Sequence, residues 1–178
     1  SQHLSNSWDF WFFPKSSVAS DPAEVVITDY GSAEADAARS AGKNLLVIGN
    51  RSEKANFVMG WWWLGKQVGT AVKPHACLGD FPYEPFLSPL LFRIIKEGTP
   101  LPVAGVGEDD LIVVGEGAEG FYLYLAEERV SCGARKLRVS GLDLLSDTPE
   151  GASLLDNLLD YLKEFGGHAS REELRRCN

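Results

Sequence analysis

The sequence predicts an α/β three-layer sandwich: a mostly parallel sheet with an antiparallel edge, covered by helices on both faces. Three observations carry that expectation. Residues 24–28 (EVVIT), 33–41 and 44–48 (NLLVI) follow one another as strand, helix and strand, the βαβ pattern. NLLVI shows no polar alternation, as expected of a central strand covered on both faces. Residues 110–114 (DLIVV), 120–126 (GFYLYLA) and 136–140 (KLRVS) then come in quick succession, which suits antiparallel additions at an edge.

Each element has its own local cause. Residues 8–13 (WDFWFF) are an aromatic run and read as a strand stopped by Pro14, with a polar linker over 15–22. Ser32 is placed to cap a helix over 33–41, whose Ala33, Ala37, Ala38 and Ala41 permit close packing, and Gly42 ends it. Ser88 and Pro89 open a second helix over 89–97, with Leu90, Leu91, Ile94 and Ile95 at helical spacing and Gly98 as its stop. Thr148 and Pro149 open the last helix. Its buried face is Leu154, Leu155, Leu158, Leu159, Leu162 and Phe165, and Gly166 and Gly167 end it. The expected division is therefore a strand over 1–14, from a preceding β-sandwich domain or an edge, a linker over 15–22, an α/β domain over 23–167 and a tail over 168–178.

The chain has 178 residues, 44% of them hydrophobic and 24% charged, which fits one folded domain. A formal net charge of -8 argues against nucleic acid as a partner. No apolar run approaches the roughly 20 residues a membrane span needs, and no basic start with a short apolar run marks a signal peptide. Cys77, Cys132 and Cys177 are widely separated, and His3, His75 and His168 form no ligand cluster, so neither a disulfide framework nor a metal site is expected. No cofactor is expected either. SNSWDFWFFP starts on an aromatic run with no lead-in, as a strand cut from its neighbours would, so a fragment of a longer protein is the expected reading.

The stretch 57–87 is the richest in recognition chemistry. Trp61, Trp62 and Trp63 are consecutive, and alternate strand residues face opposite ways, so the three rings cannot all enter one core. The loop after them carries His75, Asp80, Tyr83 and Glu84. Flat aromatic faces beside such hydrogen-bonding groups suit sugar hydroxyls, and these seven residues are the candidate substrate-binding set. The competing structural roles are docking for the indoles, and for the loop Asp80 capping backbone amides while Pro82 and Pro85 shape a rigid turn.

WDFWFFP, GWWWLGKQVGTAV, HACLGDFPYEPFLSPLLFRIIKEG and RVSGLDLLSDTPEGASLLDNLLDYL resemble the C-terminal part of large bacterial glycoside hydrolases. The resemblance is to glycoside hydrolase family 2, of the β-galactosidase-like, sugar-binding type. It covers almost the whole chain and is strongest between Gly60 and Gly98. It implies a flavodoxin-like domain, similar in fold to class I glutamine amidotransferases, that follows the catalytic barrel and is accessory to it. The paired carboxylates of a retaining glycosidase, about 5 Å apart, belong to that barrel, so no catalytic residue carries over to this chain. The expected partners are other domains of the same parent chain, with carbohydrate and a second copy as further candidates. The resemblance points to an exported parent, periplasmic or extracellular.

An amidotransferase-like fold raises the alternative of a cysteine-dependent amidohydrolase. Its nucleophile would need a tight Gly-x-Cys-x-Gly turn after a strand. Cys132 lacks the preceding glycine and comes before a strand, and Cys77, two residues from His75, lacks that order as well. Both read as ordinary thiols. The GVG at 105–107 and GEG at 115–117 read as turns. Asp143, Asp147 and Glu150 suit the positive end of the last helix, and Glu127 and Glu128 read as solvated.

Overall fold

The computed structural model describes residues 5–7, 9–13, 25–49, 70–86, 88–99, 101–102, 106–117, 120–129, 135–139, 142–145 and 147–166. In chain order the elements are β1 (Val25–Asp29), α1 (Ala33–Ser40), β2 (Asn44–Ile48), β3 (Ala71–Val72), α2 (Pro89–Lys96), β4 (Leu101–Pro102), β5 (Leu111–Gly117), β6 (Gly120–Arg129), β7 (Arg135–Val139) and α3 (Pro149–Gly166). Short 3₁₀ turns occupy Ala76–Leu78 and Glu108–Asp110.

The described strands form one mixed sheet in the order β1-β2-β7-β6-β5-β3, with β4 on β6. Parallel pairing is confined to β1 with β2 and β2 with β7. The remaining ladders, β7–β6, β6–β5, β5–β3 and β4–β6, are antiparallel. The expectation of a mostly parallel sheet is thereby corrected. The physical reason is connection length: β5 and β6 pair to their ends, Gly117 opposite Gly120, and a link that short permits only antiparallel neighbours. β6 is the long strand at the junction. One of its edges faces β5; the other faces β7 along residues 125–129 and β4 at residues 122–123.

The helices begin where the caps predict. Ser32 accepts from the Ala35 N–H and Ser88 from the Leu91 N–H, and the Thr148 hydroxyl accepts from the Gly151 N–H. β2 is buried throughout and serves two cores. Leu45 and Val47 pack with Ala35 and Ala38 of α1 on one side. Leu46 and Ile48 join the main core on the other, with Leu91 and Ile94 of α2 and Leu154, Leu158 and Leu162 of α3. Asn44, at the start of β2, donates to the Leu162 carbonyl and fixes the end of α3 against the sheet.

Three local expectations change. Residues 9–13 carry no strand; Phe13 instead stacks on Phe81, with ring centroids 6.1 Å apart and planes 20° from parallel. A strand needs a ladder partner, and among the described residues none runs beside this segment. Trp8 and Pro14, the linker 15–22 and the tail 168–178 lie outside the described residues. The GEG motif is strand, not turn: β5 runs through Gly117, and Gly115 is needed there because a Cβ would sit 2.4 Å from the Tyr124 ring. Finally, Glu127 is not solvated. It is 1% exposed.

Candidate functional site

The loop following β3 brings two of the expected residues into very different surroundings. His75 caps the 3₁₀ turn Ala76–Leu78, its Nδ1 accepting from the Cys77 N–H at 3.2 Å. A ring nitrogen that accepts carries no proton, so in the neutral imidazole the proton resides on Nε2. Nε2 lies 3.2 Å from Oε2 of Glu127 on β6. The Tyr161 hydroxyl of α3 donates to the same carboxylate, and the Tyr161 and His75 rings meet edge to face at 5.5 Å. One buried carboxylate thus holds together a loop, a strand and a helix.

Thiol, imidazole and carboxylate therefore share one neighbourhood, but not as a catalytic array. Cys77 is 0% exposed. Burial, and then the negative charge of Glu127, push its thiol up to about 12. A nucleophilic cysteine needs the opposite, a thiolate stabilised at neutral pH and open to substrate. Cys77 meets His75 through its main-chain N–H, and both imidazole nitrogens are already engaged within the protein. The chemistry of this cluster is adhesive.

Asp80 faces the other way, toward an open groove of about 500 Å³. One wall is the aromatic run 10–13; the other is formed by Asp80 and Pro82 of the loop and by Ser153, Asp156 and Asn157 of α3. Phe10 is 79% and Phe12 94% exposed, and Trp11 lies between them. Asn157 spans the floor. Its amide donates to the Leu78 carbonyl at 2.7 Å and lies 3.3 Å from the Asp80 carboxylate. Gly79 makes this approach possible: its φ of 55° is left-handed, and a Cβ there would sit 2.8 Å from the Asn157 side chain.

Of the seven candidate residues, His75 turns inward to Glu127, Asp80 lines the groove, Tyr83 packs against the main core and Glu84 is exposed. Trp61, Trp62 and Trp63 lie outside the described residues, as do Cys132 and Cys177. The groove's aromatic wall comes instead from residues read as a strand, either of a preceding domain or at an edge of this one. Sequence reasoning missed Glu127 and Tyr161. A period-two reading of β6 could have found the first, because Glu127 continues the phase of Leu123 and Leu125. No group of His, Cys, Asp and Glu among the described residues could hold a metal ion, and no described helix is long and apolar enough to cross a membrane. Compared with known proteins, the chain matches no family model and no curated protein sequence.

Proposed function

We propose that this chain is a non-catalytic α/β accessory domain of a carbohydrate-degrading glycoside hydrolase, and that it docks against the rest of its parent protein. One observation carries the docking part: three consecutive aromatic side chains, Phe10, Trp11 and Phe12, stand in or beside water at the rim of a groove. A contiguous aromatic patch of this kind is costly to leave wet and favours a covering surface. The glycosidase context rests on the sequence resemblance alone. The sheet is read as flavodoxin-like and three-layered, supported by α1 and α3 lying against opposite faces of β2.

The reading requires a longer protein around this chain. Hydrogen exchange compares the chain alone with the same residues inside that protein. Slower exchange at 9–13 and 153–157 in the longer form is the expected result. Equal exchange at both segments rejects docking, and hydrolysis of aryl glycosides by the isolated chain rejects an accessory role.

A second reading, a carbohydrate-binding module, draws on the pairing of aromatic rings with Asp80 and Asn157 around one groove. Calorimetry with galactosides and oligosaccharides decides it: no heat at millimolar sugar removes it. The amidohydrolase alternative draws no support from Cys77.

A further inference from the structure

Two contacts hold the His75 ring, and they respond to a proton in opposite ways. Its Nδ1 accepts from the Cys77 N–H at 3.2 Å, which requires that nitrogen to be bare. Its Nε2 lies 3.2 Å from the Glu127 carboxylate, a contact that strengthens once the ring is charged. The His75 side chain is 20% exposed, so a proton can reach it from solvent, whereas Glu127 is buried. Among the described residues, Glu127 on β6, Tyr161 on α3 and Cys77 on the same loop are the titratable groups facing the ring. Tyr161 points its proton at the carboxylate and burial keeps Cys77 a thiol, so the charge before the ring is that of Glu127.

A second ring proton must go to Nδ1, where it meets the Cys77 N–H head on. One of the two partners then has to move. The ring stays, because its departure would part an imidazolium from a buried carboxylate. The turn gives way, since it loses a single cap bond. We propose that His75 is a proton-operated latch: a proton taken up at Nδ1 draws the ring onto Glu127 and frees the Ala76–Leu78 turn at the Cys77 N–H. That turn leads through Gly79 to Asp80, and Asn157 grips it by the Leu78 carbonyl, so acid shifts one wall of the groove. The latch works whatever occupies that groove.

The test is an NMR titration of the full chain from about pH 8 to about pH 5, the range in which imidazoles take up protons. At the alkaline end the His75 nitrogens are expected to show the Nε2–H tautomer. On acidification the exchange protection of the Cys77 amide should fall roughly fivefold, the loss of one cap bond. The Asn157 side-chain amide should shift with the same midpoint as the ring. In His75→Asn, whose side-chain oxygen still caps but takes up no proton, the Cys77 amide should keep its protection throughout. Glu127→Gln removes the charge that favours the imidazolium, so the ring should titrate at lower pH. Constant protection in the native chain, an equal fall in His75→Asn, or an Nδ1–H tautomer at the alkaline end would each overturn the latch. So would an Asn157 amide that stays still while the ring titrates, or a ring midpoint indifferent to Glu127→Gln.

Discussion

Asn157 ties the loop to α3 with one amide, and Gly79 leaves room for it. The two positions should therefore couple. Asn157→Ala is expected to cost about 1–2 kcal/mol, since the Leu78 carbonyl loses its donor. Gly79→Ala should cost about 1–2 kcal/mol from the left-handed backbone, plus the clash with Asn157. In an Asn157→Ala background the clash disappears, so urea denaturation should show the double variant losing less than the two single losses combined. Strict additivity would mean that the contact carries no energy. Cys77 gives a second prediction. Its thiol ionises near 9.0 when unfolded but only near 12 in the fold, so above about pH 9 the unfolded chain releases its proton first. This contribution is complete below about pH 9 and disappears as pH climbs toward 12. The urea midpoint of the native chain should fall more steeply over that window than that of Cys77→Ala. At this scale the sequence was only partly legible. Asp80 could be singled out because it stands in a Pro-framed loop. Glu127 was legible only in its phase with Leu123 and Leu125; its partner was not, because the Tyr161 hydroxyl belongs to a distant helix.

Helices were readable because their stop and start chemistry is local. Ser32, Ser88 and Thr148 all act within three residues of themselves, and all three make the expected bonds. Thr148→Ala should cost about 1 kcal/mol, seen as a lower thermal midpoint with unchanged helical dichroism. Gly151, one turn in, should tolerate even alanine poorly, because a Cβ there meets the Thr148 hydroxyl at 2.6 Å and the Asp143 carbonyl at 2.8 Å. Thermal melting checks this as well: Gly151→Ala is expected to lower the midpoint despite alanine's better helix propensity. Strands were less readable because they are completed by someone else. Residues 9–13 have the aromatic composition of a strand, but Phe13 finds an aromatic stack instead of a ladder. Gly115–Gly117 looks like a turn, yet it is held extended by pairing with β6, and the ring of Tyr124 occupies the space a side chain would fill.

For the molecule as a whole, the decisive fact is that β7 joins two differently built halves. It runs parallel to β2 and antiparallel to β6, placing Leu46 opposite Leu137 and Leu125 opposite Val139. The local antiparallel ladder of β5 and β6 could be anticipated from close spacing. The insertion of a late strand beside an early one could not, since nothing in NLLVI names its neighbour. The same insertion orders events on the ribosome. β1, α1 and β2 emerge early, but one side of β2 stays without its neighbour until β7 has been synthesised. A nascent chain arrested before β7 should expose an apolar ribbon, recruit holding chaperones and remain sensitive to protease, whereas release of the next few residues should close it abruptly.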